Sequence, residues 1–332
     1  MKHSGSGNDK KNENNDDRLE GVGEEEPETG QKSEPGFQPD RDESRRLFIF
    51  CLLAVLGLSF LNMVLPVFTL AVVVIWPLPV VYLALRQGMR RAGFMIVIAA
   101  LINGLVFNPL LSLVTVAGFG FIGFVMASAL LEKFQARRIL LMTVAAAVIS
   151  NLVLASVLIL GTPQSLEASL TDLIREAAEP LIGEELSPML EMQMRMIVQL
   201  LPSILMISGI VTGILNYYFV HWFLKIKDIN VPTYKSVARW HFPAGIVSLV
   251  VVLGLLFRGN TIMFNLAALG LFSVFLQGFA AGLYFVRKKT GSRMYGWLYI
   301  MAVVLIPVFP LLLIVAGLLD IWLDFRKIKY TR

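Results

Sequence analysis

Charged residues are scarce in this sequence, and the scarcity is uneven. Only 16 % of the 332 residues are Asp, Glu, Lys or Arg, whereas soluble domains average about 25 %. Residues 47–85 and 92–131 contain no charged residue, over 39 and 40 consecutive positions. A helical membrane crossing needs about 20 apolar residues. Each run is therefore long enough for two crossings, and the composition excludes a soluble globular protein.

Cysteine and deeply placed ionisable residues are also missing. Cys51 is the single cysteine, so an intrachain disulfide is excluded. Proton- and sodium-coupled carriers usually place ionisable groups inside their spans, and no predicted span holds one at depth. His221 and His241 have only Asp228 as a nearby acid, which is too small a ligand set for a metal site. We therefore predict no enzyme, no cofactor, and no transport energised by the chain itself.

The first 46 residues differ from the rest of the chain. They carry thirteen acids and eight bases, with almost no large apolar side chain. Such a segment cannot bury enough surface to offset its chain entropy. We therefore expect residues 1–46 to be a disordered cytoplasmic tail. Residues 47–325 would then form the transmembrane domain, and residues 326–332 a basic C-terminal tail.

Basic and acidic loops alternate along the transmembrane domain. Lys and Arg cluster at 86–91, 133–138, 225–239 and 287–293, whereas residues 162–196 are acidic. Loops rich in Lys and Arg face the cytoplasm, so the N-terminus is predicted to be cytoplasmic and the acidic loop to be outside. Apolar residues of that loop, among them Leu170 and Leu173, recur at helical spacing. They predict an amphipathic helix, acting either as an interfacial helix or as a lid.

The apolar segments predict an all-α polytopic bundle of eight or nine transmembrane helices. Nine spans would place the C-terminus outside, although its basic residues favour the cytoplasm. Pro307 and Pro310 could divide the last segment into a hairpin, or the short segment at 243–257 could fail to cross. The predicted spans are about 47–63, 66–87, 92–107, 109–131, 138–161, 197–224, 243–257, 261–286 and 294–323.

Glycine patterns within the spans predict close helix packing. The stretch GFGFIG at 118–123 matches the dinucleotide-binding pattern, but that pattern works only between a strand and a helix in water. Small residues within spans instead let helices approach each other. The GxxxG pairs at 209–213 and 278–282 have the same interpretation. We expect contacts with the lipid bilayer and no nucleic-acid partner.

Two prolines interrupt the apolar stretch VVVIWPLPVVYLALRQG at 72–88. Pro77 and Pro79 each remove a backbone donor, and each disfavours helical angles at the preceding residue, Trp76 or Leu78. From Arg86 back to Pro77 is about 13–14 Å along a helix, which places the break near the bilayer midplane. We therefore predict local unwinding there.

Non-helical backbone at that depth is tolerated only inside protein or beside a wet cavity, and broken helices often form transporter solute sites. The break therefore indicates either a packed kink or a solute site. The carbonyls of Val73 and Ile75 would lose their usual partners, and polar residues of other spans could replace them. The candidate substrate-binding residues are Trp76, Pro77, Pro79, Asn103 and Asn216.

Three stretches resemble the YybS-like family of bacterial membrane proteins. They are WPLPVVYLALRQG, LPSILMISGIVTGILNYYFVHWFLK at 201–225, and AGLLDIWLDFRK at 316–327. The resemblance covers about residues 46–327 and implies a location in the bacterial inner membrane. The family is similar to the substrate-binding S components of energy-coupling-factor transporters, which capture vitamins or metal ions with a separate ATPase module. The resemblance therefore implies solute capture that relies on such a module, and the partner predicted for this chain is a small polar solute.

Two functions remain open at this point. The first is a solute-binding or transport subunit of S-component type. The second is a non-transporting membrane scaffold that recruits cytosolic or membrane partners through its tail or its basic loops. A hydrated cavity that opens toward the acidic loop would favour the first function.

Overall fold

The computed structural model describes residues 41–160, 188–257 and 259–326, and within these ranges the regular elements are helical. A π-helical segment spans Val114–Gly120, and short 3₁₀ turns occur at Pro66–Phe68 and Val237–Arg239. The α-helices of the described ranges are α1 Arg41–Val64, α2 Thr69–Ile75, α3 Pro77–Gln87, α4 Met89–Val106, α5 Pro109–Leu113, α6 Phe121–Leu131, α7 Ala136–Leu160, α8 Pro188–Ile226, α9 Ala244–Leu256, α10 Thr261–Thr290, α11 Arg293–Leu305 and α12 Phe309–Leu323.

Two segment boundaries differ from the sequence prediction. Helix α1 begins at Arg41, so residues 41–46 of the predicted tail are helical. Asp42 and Glu43 lie in its first turn, where negative charge is favourable. Helix α8 begins at Pro188, so the last residues of the predicted outer loop also belong to a helix. The rest of that loop, with Leu170 and Leu173, and residues 1–40 lie outside the described residues.

The described helices that could cross a membrane number six, or seven if a bent pair is one span. This count falls below the predicted eight or nine. The difference arises where predicted spans are short or bent. The apolar helix Ala71–Gln87 and the 13-residue helix α9 are below the length of a full crossing. The direction of α12 is bent by 114° from that of α11. The predicted division of the last segment near Pro307 and Pro310 is consistent with this bend.

The core of the first half lies where α1, α2, α3, α4, α6, α7 and α8 meet. Trp76 and Tyr217 are its largest fully buried side chains. Residues 227–243, here named the connector, have little regular structure but pack Ile229 and Tyr234 onto this core. A smaller core joins α9, α10 and α12 through Val247, Val274 and Ile321.

Large apolar side chains cover much of the outer surface of the described helices. Leu105 is 87 % exposed and Val304 is 73 % exposed. A water-soluble protein rarely exposes continuous apolar surface on this scale, whereas lipid tails cover it without cost. The surface therefore agrees with the predicted membrane class.

The predicted role of the glycines in helix packing is confirmed. A methyl group added at Gly213 would lie 2.6 Å from the Cα of Val144, and one added at Gly209 would lie 2.6 Å from the Cα of Val148. Helices α7 and α8 therefore touch backbone to backbone. The GFGFIG stretch packs in the same way, because a Cβ at Gly123 would lie 3.2 Å from the carbonyl oxygen of Pro77.

Candidate functional site

The chain stays helical through the proline pair, contrary to the predicted unwinding. Trp76 has φ −55° and ψ −39°, and its N–H donates to the carbonyl of Val72 at 2.8 Å. Helix α3 starts at Pro77 and includes Leu78. The bias of a residue before proline against helical angles is a tendency, and here burial overrides it. Trp76, Pro77 and Pro79 are all buried.

Asn216 supplies the donor that Pro77 removes. Its side-chain amide is fully buried in α8, and the two carbonyls that face it assign its nitrogen to that side, where it donates to Val73 and Val74 at 3.0 and 3.1 Å. The carbonyl of Val73 is the acceptor that residue 77 would serve if it carried an N–H. The predicted pairing of Asn216 with the break is therefore present, and it makes the break a packed kink at this carbonyl.

A second asparagine forms hydrogen bonds with the backbone on both sides of Pro202, the proline inside α8. The side-chain oxygen of Asn265, on α10, accepts from the N–H of Ser203 at 2.9 Å, and its amide nitrogen donates to the carbonyl of Gln199 at 2.8 Å. Asparagines on neighbouring helices thus replace backbone hydrogen bonds that water cannot replace within a bilayer.

The pairing at the first kink predicts a coupling between Asn216 and Pro77. Asn216→Leu should lower the free energy of unfolding by about 1–3 kcal/mol, because a buried carbonyl loses its donor. In a Pro77→Ala background the loss should be smaller, since the N–H of the introduced alanine then serves the carbonyl of Val73. Pro77→Ala/Pro79→Ala alone should hold or raise stability. A double-mutant cycle measured by denaturant unfolding in detergent tests this.

A matched variant serves as the control for this cycle, and one result would contradict the predicted coupling between Asn216 and Pro77. Asn151→Leu removes another span asparagine, whose amide bonds Leu205 and not the kink. Its effect should be the same in both backgrounds. An equal loss for Asn216→Leu with and without Pro77 would show that the amide does not serve the carbonyl freed by the proline.

Asn103 belongs to a different polar cluster. Its amide nitrogen donates to the hydroxyl of Ser59 at 2.9 Å and to that of Thr115 at 2.8 Å. These two hydroxyls donate to the carbonyls one turn earlier in their own helices. Asn103, Ser59 and Thr115 are almost fully buried. The cluster joins α1, α4 and the π-helical segment close to the ends of α1 and α4, which the charge pattern places on the outer side.

The π-helical segment links the two predicted parts of the site. Thr115 contacts Asn103, and Phe119, four residues later, lies 4.9 Å from Trp76 between ring centroids. A Cβ at Gly120 would overlap the side chain of Ile96, so the widened turn needs glycine there. π-Helical turns recur at functional sites. Trp76 and Asn103 thus both contact the π-helical segment, whereas Asn216 contacts the kink from α8.

Two asparagine side-chain oxygens, one on α1 and one on α4, have no hydrogen-bond partner among the described residues. They are the side-chain oxygens of Asn103 and Asn62, and both atoms are buried. Asn62 follows Ser59 by three residues on α1, so the two side chains share a face. Buried polar groups are usually satisfied, and these two unpartnered acceptors are therefore candidates for receiving a donor.

The sequence prediction missed a buried ion pair in the second half of the protein. The carboxylate of Asp320, fully buried on α12, accepts at Oδ2 from Nη2 of Arg326 at 2.7 Å and from Nε2 of Gln277 at 2.6 Å. Arg326 also donates to the carbonyls of Ala238 and Trp240 in the connector, at 2.7 and 2.8 Å. Arg326 was predicted to begin a solvated tail, but its side chain is buried.

Local backbone geometry brings Arg326 to its partner. Asp324 ends α12 in the left-handed conformation, with φ 43° and ψ 53°, which asparagine and aspartate tolerate better than most residues. The chain then reverses, and Arg326 returns toward Asp320. The available signal was the spacing of one acid and one base six residues apart at the end of an apolar helix, in the stretch AGLLDIWLDFRK.

Comparison with family models identifies the chain. The model of a predicted membrane protein family, DUF2232, matches residues 51–321. The chain belongs to this family. The match includes the kink, the Asn103 cluster and Asp320, and it ends before Arg326. Searches of curated proteins and of solved structures returned no match.

Membership of this family confirms an integral membrane protein with several apolar spans. Among the described polar residues of its spans, Asn216 and Asn265 form hydrogen bonds with backbone groups at proline kinks. Asn103 differs from them, because it keeps a vacant acceptor. The Asn103 cluster is therefore the candidate for binding a solute, and the Asp320 cluster is a candidate for holding the connector in place.

Proposed function

We propose that this protein is a solute-binding or transport subunit of S-component type in the bacterial inner membrane, with no energy coupling of its own. The observation that carries this proposal is the pair of buried, unpartnered acceptor oxygens of Asn103 and Asn62. In a bilayer no lipid tail can satisfy them. A polar solute that enters from the outer ends of α1 and α4 would do so.

The charges of the protein support dependence on a separate ATPase module. No acid or base occurs in residues 47–85 or 92–131, which supply the residues around Asn103. Asp320, the buried acid of α12, is already paired with Arg326. Within the described spans around Asn103, a coupling ion or proton would find no unpaired carboxylate. The resemblance to the YybS-like family and to S components supports the same proposal.

One observation favours the second function, a scaffold for cytosolic partners. The connector is irregular but firmly held. The hydroxyl of Tyr218 donates to the carbonyl of Lys235, and Arg287 donates to the hydroxyl of Ser236. Lys227, Lys235 and Arg239 are exposed on it. A fixed basic loop, which the charge pattern places in the cytoplasm, is suited to bind a partner with an acidic surface.

Purification from native membranes separates the two functions. The full-length protein and an Asn103→Leu variant are purified in parallel, and their small molecules and proteins are identified by mass spectrometry. A solute-binding subunit should bring one small polar compound, which the variant loses while it remains folded. A scaffold should bring protein partners and no such compound. Absence of any compound that depends on Asn103 would contradict the first function.

A further inference from the structure

The hydrogen bonds around Asn103 fix which of its atoms is vacant. The hydroxyl of Ser59 donates to the carbonyl of Val55, at 3.0 Å, and that of Thr115 donates to the carbonyl of Leu111, at 2.7 Å. Each hydroxyl hydrogen is therefore in use, and each hydroxyl oxygen can only accept from Asn103. Both hydrogens of the Asn103 amide nitrogen are needed for these two bonds. The amide is therefore assigned with its nitrogen toward the two hydroxyls, and its oxygen has no hydrogen-bond partner among the described residues.

The two unpartnered atoms are therefore both hydrogen-bond acceptors. Asn103 and Asn62 each offer a carbonyl oxygen, and carbonyl oxygens only accept hydrogen bonds. A ligand group that also accepts, such as a carboxylate or a phosphate, would face oxygen against oxygen. The ligand must present donors to both side chains.

The surroundings of the cluster favour a neutral donor over a cation. A buried charge is very costly unless an opposite charge pairs with it. Residues 47–85 and 92–131 contain no acid, and the spans that carry Ser59, Asn62, Asn103 and Thr115 fall within those ranges. Two amide oxygens would satisfy hydroxyl or amide N–H groups fully, whereas an ammonium group would find no carboxylate within residues 47–85 and 92–131.

We propose that the oxygens of Asn103 and Asn62 form a subsite for a neutral solute that presents two hydrogen-bond donors, such as hydroxyl or amide N–H groups. This inference rests on the proposed solute-binding function and names the class of the solute. Ser59 and Thr115 are positioning residues, because they act through the Asn103 amide. The subsite disfavours anions because it offers only acceptors, and it disfavours cations because the described spans that form it contain no acid.

A set of four small probes tests this class directly. Acetamide is neutral and has two N–H donors, and methyl acetate has a similar shape without them. Methylammonium carries donors with a positive charge, and acetate carries a negative charge. The thermal midpoint of the full-length protein in detergent is measured against equal millimolar concentrations of each. Acetamide should stabilise the protein more than the other three probes.

Two variants tie the effect to the subsite. Asn62→Leu removes one vacant acceptor without touching the bonds of Asn103, and without probe its thermal midpoint should hold or rise. The acetamide concentration needed for a half-maximal shift should increase about tenfold in this variant, the value of one hydrogen bond. The matched variant Asn151→Leu should respond as the wild-type protein does.

Several results would overturn the inference. They are a larger shift with methylammonium or acetate, an equal shift with methyl acetate, a half-maximal acetamide concentration that Asn62→Leu leaves unchanged, and no shift with any probe, which would mean that water alone fills the subsite. The native purification decides the function separately. If it yields a charged compound that depends on Asn103, the function stands and this inference is wrong.

Discussion

Replacing Arg326 with alanine is expected to lower the free energy of unfolding by about 3–5 kcal/mol, the usual loss when one partner of a buried ion pair is removed. The carboxylate of Asp320 would keep only Gln277 as a donor to Oδ2. The carbonyls of Ala238 and Trp240 would also lose their donor. Denaturant unfolding of the purified protein in detergent measures the loss.

The double variant Asp320→Leu/Arg326→Met separates the cost of an unpaired charge from the value of the pair. Its stability should lie close to that of the wild-type protein, because apolar replacement of a buried pair is often neutral. Arg239→Ala removes an exposed arginine from the same region and should change stability by no more than about 0.5 kcal/mol. Similar effects of Arg326→Ala and Arg239→Ala would refute the buried position of the pair.

Gly278→Ala is expected to destabilise the protein by about 3 kcal/mol, at the upper end for overpacking. A Cβ at Gly278 would overlap the carbonyl of Leu313, and one at Gly317 would overlap the carbonyl of Val274. Helices α10 and α12 therefore meet through backbone on both sides. No side chain can rotate away, so the helices would have to separate. The thermal midpoint and the folded yield measure the effect.

Gly57→Ala is the matched control for this substitution. An added Cβ at Gly57 has nothing within 4 Å, and alanine favours a helix interior over glycine by about 0.5–1 kcal/mol. Gly57→Ala should therefore leave stability unchanged or raise it. Equal stability of Gly278→Ala and Gly57→Ala would contradict the close contact between α10 and α12.

The sequence alone was sufficient to predict the class of fold and part of the kink. Runs without charge require helices, because lipid offers no partner for backbone groups. Pro77 has no N–H, so the need for a donor at the carbonyl of Val73 could be stated in advance, and Asn216 was among the candidates. The prediction of unwinding at Trp76 was wrong, since the conformational bias of a residue before proline is weaker than the packing of a buried tryptophan.

The remaining polar clusters depend on contacts between distant parts of the chain. Asn103 meets Ser59 from 44 positions away, and nothing local shows which of its atoms stays vacant. Asp320 and Arg326 lie close in sequence, but the position of Arg326 beside an apolar end is also typical of a solvated tail. Its burial requires Ala238 and Trp240, 88 and 86 positions away, and periodicity does not encode such pairings.

The bend between α11 and α12 has a consequence for the position of the connector. An angle of 114° exceeds a right angle, so α12 turns back toward the side from which α11 starts. Arg326 then ends beside the connector, which it contacts directly. A straight continuation of α11 would carry Asp320 and Arg326 away from the connector, and the carbonyls of Ala238 and Trp240 would lose their donor. The bend is therefore what lets the end of α12 hold the connector in place.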